Sequence, residues 1–273
     1  LITAQGQIVR GNAPARARVV SAGAMRDALR AARKDNDVKA VVLRIDSPGG
    51  DAVASATIWR EIHALRAAGK PVVASMGNVA ASGGYMMAVA AEKIVALPTT
   101  ITGSIGVLAG QPDLSGFLRQ QRGKVETIAL GAEPRSVWRP LSSAQRARLN
   151  ETIDAMYADF KSKVADGRGL SARRVEAAAK GRVWTGRQAK RRGLVDALGG
   201  TDEAVAIACA AAGLSAAVEV RPFPPAPTLA KVFESMGEEE EEGNGGNGGG
   251  GGGGVGGSIV GEVAAEAIEG AAC

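Results

Sequence analysis

The first part of the chain alternates short apolar runs with stretches in which apolar residues recur at helical spacing. Apolar runs of this length are typical of buried strands, and the recurring pattern is typical of amphipathic helices. We predict strands at 1–9, 39–46, 71–76 and 93–97, and helices at 23–37, 52–70 and 82–92. Strands that alternate with helices at these lengths predict βαβ units around a parallel sheet, and therefore an α/β fold.

Two loops of this pattern follow predicted strands. The turn SPGGD follows the strand that ends at Asp46, and the loop around Ser82 follows the strand at 71–76. In a parallel sheet, the loops after the strands gather at one edge, which is where ligands bind. We therefore expect both loops to lie at the carboxyl edge of the sheet.

The second part of the chain is predicted to be mainly helical. Leu149, Ile153, Met156 and Phe160 have helical spacing, which predicts one long amphipathic helix within 141–180. A short strand, a helix and a glycine-bounded exit follow at 183–200.

Beyond Pro222 the composition changes from a mixed sequence to one of low complexity. A proline-rich stretch precedes a run of glutamates and a long run of glycines, which together cannot bury a core. We predict a folded domain over 1–222, a disordered linker over 223–257 and a short tail over 258–273.

Charge is distributed unevenly between these parts. The whole chain has a net charge of +5, but residues 223–273 contain nine acidic residues and one basic residue, so residues 1–222 have a net charge of +13. A basic domain of this kind favours either an anionic membrane surface or a solvated surface of mixed charge. Aromatic residues make up 3% of the chain, too few to stack nucleic-acid bases, so we predict no nucleic-acid partner.

The sequence lacks the residues that several classes of chemistry require. One histidine and two cysteines, Cys209 and Cys273, cannot form a zinc site or a disulfide framework, and we interpret Cys209 as a buried apolar residue. No phosphate-binding loop is present, and no apolar run is long enough to span a bilayer. We predict no metal and no cofactor. The strand pattern begins directly at Leu1, which suggests a fragment or a processed chain.

Ser82 is the candidate nucleophile, although serine is also a common first residue of helices. It stands in the sequence AASGGY, where small neighbours leave backbone N–H groups accessible to a substrate oxyanion. Gly50 of the other loop and Gly83 would supply two such donors. The ordinary alternatives are an N-cap at Ser82 and, for SPGGD, a turn with Asp51 as N-cap.

A general base for Ser82 is harder to find. His63 lies inside the predicted helix at 52–70, far from the strand edge, so a helix-face histidine explains it better than a catalytic triad does. A lysine of lowered pKa is the other usual base for a serine. The lysines after Ser82 all stand in polar or helical surroundings: Lys93, Lys124, Lys161, Lys163, Lys180, Lys190 and Lys231.

Four motifs in order give the chain its resemblance to a known family. They are AVVLRIDSPGGDAVAS, GKPVVASMGNVAASGGYMMAVAAEKIVA, TTITGSIGVLAG and GRVWTGRQAKRRGLVDALGG. This combination resembles the protease IV family, also called signal peptide peptidase A, over about residues 4–215. The resemblance implies a crotonase/Clp-protease-like fold of repeated ββα units with a long helical segment. It also implies a serine endopeptidase with a Ser-Lys dyad that degrades cleaved signal peptides and membrane-associated polypeptides.

The resemblance assigns roles to some residues and leaves the base unassigned. Ser82 corresponds to the nucleophile, Gly50 and Gly83 to the oxyanion donors, and Thr102, Gly103 and Ser104 to the lining of the groove. Short members of the family have their lysine about fifty residues after the serine, where this chain has Pro134 and Arg135. Arginine cannot replace that lysine as a general base, because its guanidinium group stays protonated.

In the long, two-copy form of the family, the amino-terminal copy supplies the lysine and the carboxyl-terminal copy the serine. This chain resembles the carboxyl-terminal copy alone. The resemblance further implies peptide substrates, a tetramer-like homo-oligomer, a lysine-bearing amino-terminal half as partner and association with a membrane surface. A glutamate- and glycine-rich tail suggests a chloroplast thylakoid relative, and the bacterial inner membrane is the alternative.

Two other functions remain open at this point. A silent scaffold that binds peptides without cutting them would explain the missing lysine. A crotonase-type enzyme acting on acyl-CoA would share the fold and the oxyanion turn, and its activity would not depend on Ser82.

Overall fold

A computed structural model describes residues 1–14, 17–121, 124–126, 128, 135–215 and 218–223. The strands are β1 (Ile2–Gln5), β2 (Gln7–Val9), β3 (Val19–Ser21), β4 (Val41–Ser47), β5 (Val72–Ala81), β6 (Lys93–Ala96), β7 (Ile101–Gly103), β8 (Val183–Thr185) and β9 (Ala197–Leu198). The helices are α1 (Ala22–Lys34), α2 (Ala52–Ala67), α3 (Gly83–Val89), α4 (Ser115–Gln120), α5 (Ser143–Arg168), α6 (Ala172–Ala178), α7 (Gly186–Arg191) and α8 (Thr201–Ala211). The predicted tail and Pro134 lie outside the described residues.

Seven strands form one sheet, in which the order β1-β4-β5-β6-β9 runs parallel throughout. The ten-residue strand β5 pairs with β6 through its first half and with β7 through its last residues. Strand β8 pairs with β7 in the antiparallel direction. The predicted parallel sheet and α/β class are therefore confirmed, with β8 as an antiparallel addition next to β7.

The two faces of the sheet are covered unequally. Alternate residues of β4 point to opposite faces, as in any strand. Leu43 and Ile45 enter the main core with residues of α1, α2 and α3. Val42 belongs to a smaller cluster with Val73, Val95 and two alanines of α8. The main core thus lies under α2 and α3, the helices that follow the SPGGD turn and Ser82, and it fixes where these two loops start.

Two predicted elements are wrong in their extent. The opening strand is divided into β1 and β2 at Gly6, whose φ of 98° a residue with a side chain rarely adopts. The long helix ends at Gly169, which has left-handed backbone angles and caps the carboxyl end of α5, so that α6 is a separate helix. Phe160 and Val164 are the residues that α5 buries, whereas Leu149, Ile153 and Met156 remain partly exposed.

A partly buried ion pair attaches α5 to the sheet. Arg168, at the end of α5, donates two hydrogen bonds of 2.8 Å to the carboxylate of Asp196, and its Nε donates to the Gly193 carbonyl. Asp196 also accepts from the Ile94 N–H of β6 at 2.7 Å. Burial opposes ionisation of Asp196, but the bonds from Arg168 and Ile94 outweigh it and hold the pKa of this carboxyl below its usual value.

None of the helices in the described ranges combines the length and the apolar character needed to cross a bilayer. The longest, α5, has charged side chains along most of its length.

Candidate active site

Ser82 joins β5 to α3 in a backbone conformation that serine rarely adopts. Its φ is 51° and its ψ is −119°, and residues with a Cβ rarely adopt a positive φ. Its N–H donates to the Gly103 carbonyl of β7 at 2.9 Å, and its carbonyl accepts from Met86. The residues on either side of it are buried, whereas Ser82 itself is partly exposed. Strain of this kind persists only where the surroundings enforce it, and it is concentrated at functional sites.

The N-cap interpretation of Ser82 is not supported by its geometry. Ser21, Asp51 and Ser142 begin their helices with extended backbones, and their side chains accept hydrogen bonds from the first turn. Ser82 makes no such bond, so its hydroxyl is free of the helix that it precedes. The other ordinary prediction, Asp51 as the N-cap of α2, is confirmed by a 2.8 Å bond from the Ala54 N–H.

The SPGGD turn lies directly against Ser82. A Cβ placed on Gly49 would be 2.8 Å from the nitrogen of Gly83 and 2.9 Å from the Cβ of Ser82. Gly49 also has a φ of 107°, so both the contact and the backbone require glycine here. The structure therefore brings the two predicted loops together at one edge of the sheet.

Neighbouring residues hold this turn in place from two sides. Ile8 of β2 donates its N–H to the Gly49 carbonyl at 2.8 Å and accepts from the Asp51 N–H at 2.9 Å. Below the turn, the buried hydroxyl of Ser47 accepts from the Gly49 N–H at 3.2 Å. The sequence gives no signal for the part played by Ile8, because pairing of β2 with a turn forty residues away is a tertiary contact.

Two backbone donors remain at the centre of the site. Among the described residues, neither the N–H of Gly50 nor that of Gly83 has a hydrogen-bond acceptor. A Cβ on Gly83 would lie 2.3 Å from the Ser55 hydroxyl, so only glycine fits directly after Ser82. Free N–H groups beside a serine hydroxyl can stabilise the oxyanion of a tetrahedral intermediate. The roles of Ser82, Gly50 and Gly83 stay predictions.

The predicted groove residues lie on β7 and just after it. Thr102 is fully buried and donates its hydroxyl to the Ala80 carbonyl, whereas Ser104 is partly exposed and has a φ of 48°. Gly103 lies under Trp184 of β8, since a Cβ on Gly103 would be 2.8 Å from the indole Cδ1. Trp184 is held by the Ala178 carbonyl and by Arg192 stacked 3.5 Å above its ring. The VWTG motif thus supports the carbonyl to which Ser82 donates.

His63 and the described lysines are engaged elsewhere. His63 stacks on Trp59 within α2, and it lines a cavity of 410 Å³ with Lys70, Pro71 and Glu92, at the end of the sheet where β5 begins. Burial, followed by the positive charge of Arg66, lowers the pKa of His63. The prediction that His63 is a helix-face residue agrees with this position.

The described lysines that form hydrogen bonds or ion pairs bond to groups other than Ser82. Lys70 donates to the carbonyls of Ala32 and Asp35, at the carboxyl end of α1. Lys163 pairs with Asp159, and Lys161 and Lys180 share Glu176. The hydrogen bond from Lys161 to Glu176 raises the pKa of Lys161, which is opposite to what a base needs. Cys209 is buried, as predicted. The described residues contain no group of metal-ligating side chains.

Comparison with known proteins identifies the family to which this chain belongs. The model of peptidase family S49 matches residues 64–215, which is more than half of the chain and includes Ser82, and that of Clp protease matches residues 16–111. The chain belongs to peptidase family S49. Its sheet with Ser82 at the end of β5 is accordingly a Clp-protease-like fold, as the sequence predicts.

Relatives of this S49 domain are named as proteases. It is 43% identical over 218 residues to the chloroplastic serine protease SPPA of Arabidopsis thaliana, and 41% identical over 194 residues to protease 4 of Salmonella typhi. These matches cover 76% and 68% of the chain but only 31% and 30% of the relatives. A candidate protease of Synechocystis sp. is 38% identical, with 71% of the chain and 72% of that protein matched.

The strain at Ser82 gives a prediction that does not depend on activity. We expect Ser82→Gly to have a free energy of unfolding about 1–2 kcal/mol higher than Ser82→Ala, because glycine adopts a φ of 51° without strain and alanine does not. Chemical denaturation of the two variants measures the difference. Ser171, an N-cap with an extended backbone, is the matched control. An equal difference at Ser171 and Ser82 would show that cap preference, not strain, is responsible.

Proposed function

We propose that this domain is the serine-bearing part of an S49 endopeptidase in which Ser82 is the nucleophile. The observation that supports it is the strained Ser82 backbone, with its hydroxyl free of α3 and next to the Gly49–Gly50 turn. The other serines at helix starts, Ser21, Ser142 and Ser171, have extended backbones, and the hydroxyls of Ser21 and Ser142 accept hydrogen bonds from the first turn.

In the proposed mechanism, the Ser82 hydroxyl attacks a peptide carbonyl carbon while a lysine amine takes its proton. The carbonyl oxygen becomes an oxyanion facing the N–H groups of Gly50 and Gly83. The intermediate collapses as the C–N bond breaks, and the leaving amine receives the proton from the lysine. Water then attacks the ester on Ser82, with the lysine amine again as base, and releases the carboxylic acid of the cleaved peptide.

We infer that the lysine comes from another copy or from an amino-terminal half. Arg135, near the position where short members of the family have their lysine, stays protonated and cannot serve. A partner surface is available beyond β7, where large apolar side chains are exposed to an unusual degree. They include Leu108, Phe117, Val125, Ile128 and Trp138. We propose that this surface contacts the lysine-bearing half or a further copy in a tetramer-like assembly.

The substrates proposed are extended peptides with small or apolar side chains, including cleaved signal peptides and membrane-associated polypeptides. A relative from Enterococcus faecium, 34% identical over 179 residues, bears signal peptide peptidase in its name. The name of the Arabidopsis relative places that protein in the chloroplast. We further propose association of this chain with a membrane, that of the chloroplast thylakoid. The bacterial inner membrane is the alternative.

Covalent labelling tests the nucleophile directly. We expect a fluorophosphonate probe to form one adduct, on the peptide that contains Ser82, and to form it at least about tenfold faster when a lysine-bearing amino-terminal half is added as a second chain. Mass spectrometry locates the adduct. Ser171→Ala is the control that should label like the parent. An adduct on a different serine would contradict the assignment of Ser82.

A silent scaffold remains the second candidate, because none of the hydrogen bonds of the described lysines is to Ser82. It predicts no adduct even with the lysine-bearing half present. A crotonase-type enzyme predicts binding of acyl-CoA, and an activity that Ser82→Ala does not change.

A further inference from the structure

The segment from Ser171 to Arg192 has an exceptional concentration of positive charge. It contains eight lysine or arginine side chains and one carboxylate, Glu176. Seven of the cations are exposed, and one of these, Lys180, pairs with Glu176. We call the other six the basic face. They are Arg173, Arg174, Arg182, Arg187, Lys190 and Arg191. Such a density attracts an anionic partner from a distance.

The fold joins these cations into one surface. Arg187, Lys190 and Arg191 are spaced by three and four residues on α7, so they share one side of that helix, opposite the buried Ala189. At the end of α7 the surface continues to α6, because the Arg174 Nη2 lies 3.7 Å from the position that a Cβ on Gly193 would take. The face is therefore formed by α6, by α7 and by Arg182, which precedes β8 and donates to the Ala177 carbonyl of α6.

The carboxylates closest in sequence do not neutralise this face. Glu176 accepts from Lys161 at 2.9 Å and lies 3.6 Å from Lys180. Asp196 is paired with Arg168. In the part of the chain that the structure describes, Arg182 donates to the Ala177 carbonyl, and none of the six cations forms an ion pair.

We propose that the basic face binds the glutamate run Glu238–Glu242 of the same chain. Five consecutive carboxylates complement six exposed cations in charge and in number. The described chain ends at Phe223, and fifteen residue steps separate it from Glu238, a reach of about 50 Å. The sheet from β1 to β9 is five strands wide, about 20 Å, so the run can reach α7 from Phe223.

Tethering favours this occupant over a bilayer. A segment joined to the domain by a short linker has an effective concentration in the millimolar range. Helices that lie on anionic membranes present large apolar side chains beside their cations. On α7, by contrast, Ala189 is buried, and the sequence GRQAKR has no large apolar residue. The helix α7 thus offers charge without an apolar anchor, and the one exposed large apolar side chain of the segment 171–192 is Val183 on β8.

The position of the face gives the contact a consequence. The Arg182 carbonyl accepts from the N–H of Ser104 at 2.8 Å, and Trp184 covers Gly103, so β8 connects the basic face to the site of Ser82. A bound glutamate run would lie beside the proposed groove. Because the interaction is ionic, it weakens as salt is added.

Carbodiimide crosslinking of the full chain tests the proposal, since it joins carboxylates only to amines in contact. Lys190 is the reporter amine. At low salt we expect a crosslink from Lys190 to the peptide containing Glu238–Glu242 within single chains, lost at about 1 M NaCl. The variant with Arg187→Glu and Arg191→Glu retains Lys190, and we expect its yield of this crosslink to be about tenfold lower. The control, Lys34→Glu with Arg60→Glu, makes the same change in net charge away from the face and should retain it.

Three outcomes would overturn the proposal. One is a crosslink spread equally over Lys34, Lys39, Lys93 and Lys190. The second is a Lys190 crosslink that the face variant and the control variant reduce equally. The third is strong and equal capture of the parent and of the variant with all five glutamates changed to glutamine by vesicles containing phosphatidylserine, because a bound run would shield the face from lipid. None of these measurements depends on Ser82 or on hydrolysis.

Discussion

Ser82→Ala is expected to lower the kcat for hydrolysis of a fluorogenic apolar peptide by at least about 10⁴-fold, wherever the parent domain with its lysine-bearing partner is active. Loss of the hydroxyl removes the acyl-enzyme route and leaves only the oxyanion donors and the groove. The KM should change little, because the serine adds little to the binding of the uncleaved peptide. Rates measured from about pH 7 to 10, with casein as a second substrate, cover the range in which a lysine base becomes neutral.

The control for this experiment is another serine at the start of a helix. Ser171 has an extended backbone with φ of −64°, is exposed, and makes no side-chain cap bond. Ser171→Ala should therefore keep the parent rate. Hydrolysis that survives in Ser82→Ala would refute the nucleophile assignment. A parent that is inactive with its partner present would instead favour the scaffold.

The sequence predicts the edge of the sheet at which Ser82 lies, because alternating strands and helices leave few topologies. It also predicts that the Pro-Gly-Gly turn shares that edge, and the contact of Gly49 with Ser82 and Gly83 agrees. What sequence patterns do not reveal is backbone strain. A φ of 51° at Ser82 results from β5, β7 and the turn acting together, and serine as a residue type suggests the opposite, an extended cap.

Tertiary support is also beyond the reach of local patterns. Ile8 holds the turn through two backbone bonds, and any residue other than proline could make them, so its identity carries no signal. The long helix at 141–180 was predicted from Leu149, Ile153 and Met156, but those residues are only partly covered. Helical spacing reports a potential interface and cannot say whether this chain or a partner covers it.

The largest predicted effect on stability is at Asp196, which pairs with Arg168. The Arg168 side chain is 7% exposed, and Asp196→Asn leaves its charge without a counterion, so we expect the free energy of unfolding to fall by about 3 kcal/mol near neutral pH. The double variant Arg168→Met with Asp196→Leu removes both charges and should lie closer to the parent than the single variant does. Asp27→Asn breaks an exposed pair with Arg26 and should leave stability unchanged.

The pH dependence of this effect has a definite sign. The pKa of Asp196 is lower in the folded chain than its ordinary value, so the unfolded chain binds the proton more readily. The ion pair therefore contributes its full stability above the unfolded pKa of about 3.9, and the contribution is lost as the pH falls through the folded value. Urea denaturation of parent and Asp196→Asn from about pH 7 to 2.5 should show two curves that converge in acid. If the difference stayed constant over that range, the cost would come from packing of the amide and not from the lost charge.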